Sequence, residues 1–392
     1  MRLSKRPSVY ALPSYSLTGD LVAFMRCGLQ YRYTRIGQLP SSRPVQAWFG
    51  QFIHGVLEEA YRQYNESRKQ GILDSPPWKE ARVTEICDLI KRRLAAQRLF
   101  PWGEDLEILG YRRARIAVNE LGRELFPLIH RAEVRLTGAR DLPVGQIPAH
   151  LRFREADRYE VVGVIDVITH IQLNDPELQD NLIVKTILRD LPPALANDFE
   201  IILDYKGMRR PPNRTGRGAP NYWDIYGWQI QTYAHLRQLH EDSLPVAAGA
   251  ILYINELDPT ANDIFTLQRE IEEGITDVLP EPRSETEKLI KNFSKKDKEN
   301  LPLLPFEFRL ERMMRLVPIT PNTIRQSLQE FDRVVARIET CRGKELSEGR
   351  LLQNWEKNAA DESTCTACDA KTFCPDYQAE RLPALPIRKI NA

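Results

Sequence analysis

Between Gln46 and Tyr64 the apolar residues Trp48, Phe49, Phe52, Ile53, Val56, Leu57, Ala60 and Tyr61 recur at three- and four-residue spacing, which predicts an amphipathic helix. Similar patterns predict helices from about Trp78 to Phe100 and from about Arg115 to Arg131, a helical block near the start of the chain. The texture then changes. Val134–Leu136, His150–Phe153, Tyr159–Ile171 and Glu200–Tyr205 are short, β-branched or alternating, as strands are. A helix from about Trp223 to His240, a buried strand at Val246–Ile254 and a last helix from about Pro321 to Cys341 follow. Pro211–Pro220 is too rich in Pro and Gly for a regular element, and Glu281–Asn300 is charged enough to be a mobile insertion or a solvated helix. Helices, then strands, then a helix and another strand predict an α/β core with a mixed sheet.

Composition narrows the classes. With 42% hydrophobic and 28% charged residues, the 392-residue chain can bury a sizeable core. Its 55 basic and 54 acidic residues give a net charge of +1, so only local patches can speak to a nucleic-acid partner. No apolar run reaches the roughly 18–20 residues a membrane span needs, and Met1–Thr18 lacks the apolar stretch of a secretory signal, so a cytoplasmic location is expected. There is no phosphate-loop motif, which excludes a P-loop helicase or ATPase.

The cysteines carry more. Of six, Cys365, Cys368 and Cys374 crowd together as C-x₂-C-x₅-C, while Cys27, Cys87 and Cys341 stand apart. In a chain without a secretory signal, such a cluster reads as metal or Fe–S ligation rather than as a disulfide framework. A four-Cys site needs a fourth thiolate, and the spacing permits zinc as well as iron–sulfur. Cys87 and Cys341 fall on apolar helical faces and read as small buried hydrophobes.

A second constellation begins at Gly163-Val164-Ile165-Asp166 and resumes at Asp204-Tyr205-Lys206. Strand alternation puts Asp204 and Lys206 on one face and Tyr205 on the other. Asp166 ends an equally apolar stretch of strand, and if it meets them, two carboxylates share a site and repel unless a cation lies between them. Mg²⁺ is the natural candidate, and it would activate water and stabilise charge on a phosphate. Lys206, Arg209, Arg210, Arg214 and Arg217 then bring five positive charges and no negative one, followed by Trp223, Tyr226 and Trp228. That mixture suits the phosphates and bases of a nucleic acid, although a solvated loop before a helix with core aromatics reads equally simply.

Taken in order, His54 in a G-x-x-x-H helix, Glu133 at a strand start, G-x-I-D, D-Y-K and Gln229-x-x-x-Tyr233 resemble the RecB-type PD-(D/E)XK nucleases. An upstream Cys27 with a C-terminal Cys triplet resembles the iron–sulfur branch, which includes CRISPR-associated Fe–S exonucleases and the nuclease domains of AddB-type helicase–nucleases. The resemblance implies a restriction-endonuclease-like mixed sheet flanked by helices, with a helical insertion and a C-terminal Fe–S staple. It implies Mg²⁺ or Mn²⁺ held by His54, Asp166 and Asp204, and Lys206 as the catalytic lysine. Gln229 and Tyr233 would support the site, and a 4Fe–4S cluster would be held by Cys27, Cys365, Cys368 and Cys374. The expected organisation is 1–64 with the first Cys and the His54 helix, a helical insertion at 65–131, the nuclease core at 132–256, an accessory segment at 257–342 and the Cys-cluster segment at 343–392. Asp166 and Asp204 lie 204 − 166 = 38 positions apart, so Leu173–Asp198 reads as an insertion into the family's compact hairpin. The implied activity is metal-dependent hydrolysis of DNA, on single strands or DNA ends and by an exonuclease. It would serve DNA repair, processing or antiviral defence, beside a helicase or another defence or repair subunit. A nuclease-like scaffold that only binds DNA is the alternative.

Overall fold

A computed structural model describes residues 11–39, 45–191, 196–213, 222–294, 296, 301–357, 365, 366, 368–375 and 377. Its centre is a mixed sheet of seven strands: β1 (Ser14–Ser16), β2 (Ile129–Asp141), β3 (Arg158–Thr169), β4 (Ile171–Gln172), β5 (Asp198–Lys206), β6 (Val246–Tyr253) and β7 (Met314–Pro318). The main path runs β1-β3-β5-β6-β7, with β2 paired to β3 and β4 to β5. β3 and β5 are antiparallel, with Val167 opposite Leu203 and Ile168 opposite Ile202, whereas β5 and β6 are parallel. Every residue of β5 from Phe199 to Tyr205 is buried, as a central strand covered on both faces must be.

Helices cover the two faces. The Val45–Lys69 helix buries Trp48, Phe52, Ile53 and Val56 in the same core as Val167, Leu203 and Tyr205. On it pack Glu80–Ala96 and Glu104–Ile116. On the opposite face, the Tyr222–Gln238 helix shares a second core with Ile165, Ile202 and Ile251 and is backed by the long Pro321–Glu348 helix. Gly163 shows why this face closes so tightly. A Cβ there would sit 2.7 Å from the Tyr233 ring, so only glycine lets that side chain lie against β3.

The sheet reaches beyond the expected core of 132–256, since β1 and β7 come from distant parts of the chain. Three local expectations change. His150–Phe153 forms no strand, because Ala149–Leu151 is a single 3-10 turn. The third helix starts earlier than expected, at Glu104, and helical turns run on from Ile116 through Leu128 before the chain becomes extended at Ile129. Asp166 lies within β3 rather than at its end. The Leu173–Asp198 insertion carries a helix, Leu182–Asp190, capped by the Asn181 side chain on Val184 N at 3.0 Å. The charged stretch at 281–300 includes the Ser284-capped helix Glu285–Asn292.

Candidate metal centre

One step beyond the last paired residues of β3 and β5, where the two strands part, stand Asp166 and Asp204. The His54 helix approaches this point from one face of the sheet and the Gln229 helix from the other. Tyr205 points away from Asp204, as alternation requires, and its ring meets His54 edge-on at 5.5 Å.

The backbone of Tyr205 sets both ligand groups. Its N–H donates to Asp166 Oδ2 at 2.7 Å. Its carbonyl lies 3.0 Å from His54 Nε2, which must therefore donate. In a neutral ring that leaves the lone pair on Nδ1, which faces Asp166 Oδ2 at 3.6 Å. Burial, followed by smaller contributions that include the Lys206 charge, lowers the His54 pKa and favours this neutral, ligating form.

Glu133 completes the group. By register it lies opposite Asp166 on β2, between the pairs Ala132–Val167 and Val134–Ile165. Its φ of 52° is left-handed, a conformation that costs a non-glycine residue roughly 1–3 kcal/mol. One ligand atom each from His54, Glu133 and Asp166 lie within 4.8 Å of one another. An ion with bonds of about 2.0–2.6 Å bridges donors at that spacing. The carboxylates are poorly matched by cations. Burial first, then the Asp204 charge, push the Asp166 pKa well above the usual range, and burial with Glu58 and Asp204 raises that of Glu133. A divalent cation would reverse both shifts, so the residues present fit one.

Asp204 is 3% exposed and stands behind this group. It is ion-paired with Lys206 and accepts from Gln229 Nε2 at 2.8 Å. Gln229 also accepts from Lys206 Nζ at 3.2 Å, and its Nε2 lies 3.0 Å from the Tyr233 hydroxyl. The structure thus brings together His54, Asp166, Asp204, Lys206, Gln229 and Tyr233. It puts Glu133, rather than Asp204, in the closest three-ligand set. The sequence signal for Glu133 was only its place at the head of the β-rich stretch.

Arg209 and Arg210 do not lie free for phosphates, contrary to the sequence expectation. Arg209 makes two bonds to Glu270, at 3.0 and 3.2 Å. Arg210 is 4% exposed, holds Asp277 through Nε at 2.7 Å, and donates to the carbonyls of Arg312 and Met314. Arg214 and Arg217 lie outside the described residues, as does the Trp223 side chain. Trp228 is a core aromatic bonded to Ser327 O at 2.8 Å, and Tyr226 lies under Lys206 with its centroid 4.8 Å from Nζ.

The cysteines form a separate cluster. Cys27 sits in extended backbone between the short helices Ala23–Arg26 and Gly28–Tyr31. Leu29 N donates to Glu356 O at 2.9 Å, and Phe24 and Tyr31 pack on Trp355, so the start of the chain is seated on its C-terminal part. The Cys368 thiol is raised by burial and then by charge on Cys27, Cys365 and Cys374, which places all four within electrostatic reach. None is in a disulfide, while Cys87 and Cys341 are buried. Cysteines from both ends of the chain gathered in one region suit a bound metal or cluster.

A sequence profile of the PD-(D/E)XK nuclease superfamily matches residues 18–179. That span includes Cys27, His54, Glu133 and Asp166 and ends before Asp204. No curated protein matches the chain.

Proposed function

We propose that the chain is a metal-dependent nuclease that hydrolyses DNA phosphodiesters at the His54–Glu133–Asp166 group. The observation that carries this reading is the convergence of an unprotonated imidazole nitrogen and two carboxylates with raised pKa values, beside an ammonium at Lys206. The profile match over 18–179 supports it.

Mg²⁺ or Mn²⁺ would be held by His54, Glu133 and Asp166, with Asp204 adjoining, and would lower the pKa of water and stabilise charge on the phosphate. The protein's own groups do the positioning. Tyr205 fixes the Asp166 oxygen and the His54 tautomer through its backbone. Gln229 holds Asp204 and Lys206 in one hydrogen-bonded array, so the ammonium is aimed rather than free to rotate away. Lys206 Nζ orients the attacking water and neutralises charge as it develops on the phosphate.

For the four cysteines we favour a 4Fe–4S cluster over zinc, as a staple joining Cys27 to the C-terminal triplet. Single-stranded DNA or DNA ends are the proposed substrates, cut by an exonuclease in DNA processing, repair or defence beside a helicase or similar subunit. A scaffold that only binds DNA has no use for the full array of Asp166, Asp204 and Lys206. The deciding experiment is anaerobic purification followed by assay of labelled single- and double-stranded DNA with Mg²⁺, Mn²⁺ or chelator, with iron, sulfide and zinc measured on the same protein. Metal-dependent cutting and matched iron and sulfide are expected. Cutting that persists in chelator contradicts the nuclease reading, and stoichiometric zinc without iron contradicts the cluster.

A further inference from the structure

The Lys206 ammonium has two polar neighbours, both from the group already described. It is ion-paired with Asp204 and donates to Gln229 Oε1 at 3.2 Å. Its third neighbour is of another kind. The Tyr226 ring lies with its centroid 4.8 Å from Nζ, inside the roughly 6 Å over which an aromatic face attracts a cation. The Lys206 side chain is 19% exposed, so little water competes for that attraction. A carboxylate in the ring's place would draw on a further N–H of the ammonium, whereas a ring attracts the charge without offering a lone pair. The ammonium is thereby held while donor capacity remains for a phosphate oxygen or a water.

Three elements place that ring. Tyr226, Gln229 and Tyr233 follow one another at spacings of three and four, so they share one face of the Tyr222–Gln238 helix. This face is turned to β5, since Gln229 reaches Asp204. In the β5–β6 register Lys206 stands beside the buried Tyr253, and the Tyr226 ring meets the Tyr253 ring at 6.3 Å. The Tyr226 hydroxyl donates to Sδ of Met208, two residues beyond Lys206, at 3.2 Å. The ring is thus bounded by β6 and tied at its tip to the chain that leaves β5. A lysine carries a point charge on a flexible four-carbon stem, so an ammonium that must sit at a fixed point needs more than one hold.

The nature of that third hold matters because Asp204 has a second claim on it. Asp204 adjoins the metal group, and a cation there would draw on the same carboxylate that pairs with Lys206 in the metal-free fold. Gln229 is bonded to Asp204 as well. Of these three neighbours, the Tyr226 ring alone has no tie to the carboxylates, so its grip on the ammonium does not change when their charge is taken up.

We propose that Tyr226 is a positioning residue for the reaction at this centre, holding the Lys206 ammonium beside the metal group through the face of its ring rather than through its hydroxyl. What the ammonium does rests on the nuclease reading, whereas where it is held rests on the Lys206–Tyr226 geometry alone. The test pairs a rate with a stability cycle. Tyr226→Leu keeps an apolar side chain but removes the aromatic face, and Tyr226→Phe keeps the face but removes the bond to Met208. Single-turnover cleavage is measured at saturating DNA and Mn²⁺, with both affinities determined separately. Urea melts of the metal-free chain compare the wild type, Tyr226→Leu, Lys206→Met and the double variant.

Tyr226→Leu should cut about tenfold more slowly with unchanged DNA and Mn²⁺ affinities, and Tyr226→Phe should recover to within about twofold of the wild type. In the melts, Tyr226→Leu should lower the unfolding equilibrium in favour of the unfolded chain about two- to fivefold more in the wild-type background than in the Lys206→Met background. A wild-type rate in Tyr226→Leu overturns the proposal, and so does a rate in Tyr226→Phe as low as in Tyr226→Leu, which would assign the effect to the hydroxyl. An equal effect of Tyr226→Leu on stability in both backgrounds overturns it too, because the ring would then only fill space. If the wild type never cuts DNA, the nuclease reading fails by itself and the stability cycle decides: coupling to Lys206 keeps the ring's hold on the ammonium, and its absence removes it.

Discussion

Two charged clusters flank the end of β5, and they differ in their balance. At the strand end, Glu133, Asp166 and Asp204 face one ammonium, Lys206, and a histidine held neutral. Within four residues, Arg209 and Arg210, joined by Arg312, meet Glu270, Asp277 and Glu256 one for one. Each cluster includes buried carboxylates, Asp204 in the first and Glu256 and Glu270 in the second, and Asp166 and Asp277 respond to their surroundings in opposite ways. Burial pushes Asp166 up and like charges push it further. Burial would also raise Asp277, but the Arg210 guanidinium outweighs it and leaves the carboxyl below its ordinary value. Buried charge matched within the chain holds the chain together, whereas unmatched charge waits for something from outside.

The largest expected effect separates the clusters by activity. Asp204→Asn or Lys206→Ala should cut DNA cleavage by roughly 10³-fold or more while leaving the melting temperature within a few degrees. Arg210→Ala should do the reverse. Removing the buried Arg210 guanidinium leaves the Arg312 and Met314 carbonyls without their donor, at about 1–3 kcal/mol for a buried group left unpaired, and the protein that remains folded should still cut. Denaturant melts and single-turnover cleavage of the same preparations check both. Equal loss of stability in the two sets would erase the distinction.

The next effect is in pH. In the metal-free fold Asp166 has a raised pKa, so the native state keeps a proton there that the unfolded chain has lost. Its contribution is full below the unfolded value of about 3.9 and is lost as pH rises through the folded pKa. Asp166→Asn should therefore flatten that part of the metal-free stability curve and match or exceed the wild type near neutrality. Asp277 has the opposite sign, and its contribution is lost as pH falls below the ordinary carboxylate range. Urea melts across a pH series read both, and a wild-type slope retained by Asp166→Asn would contradict the Asp166 assignment.

The smallest effect lies in the supporting array. Tyr233→Phe removes the hydroxyl beside Gln229 but leaves Gln229 bonded to Asp204 and Lys206. A lost neutral hydrogen bond of about 1 kcal/mol should lower the cleavage rate by roughly fivefold, without shifting its metal dependence.

The same contrast separates what the sequence makes legible from what it hides. The His54 helix, the D-Y-K strand and the cysteine triplet are local patterns, and the structure brings the His54, Asp166, Asp204 and Lys206 side chains to one place. Arg209 and Arg210 read as a bare basic run because their partners, Glu256, Glu270 and Asp277, come from far along the chain. β1 and β7 are hidden for a similar reason. At three and five residues they have no pattern of their own, and their pairing with β3 and β6 is a property of the folded sheet. Glu133 is recognisable only once β2 and β3 are in register and its backbone is seen to turn left-handed.

The most direct test of the unmatched cluster is a Mn²⁺ titration of the full chain near neutral pH, read by paramagnetic resonance without DNA. The wild type is compared with Asp166→Asn, Glu133→Gln and Arg210→Gln. The metal-centre reading predicts that each of the first two variants loses roughly 10–100-fold in affinity, and that the folded fraction of Arg210→Gln binds like the wild type. Wild-type affinity in both Asp166→Asn and Glu133→Gln would contradict it.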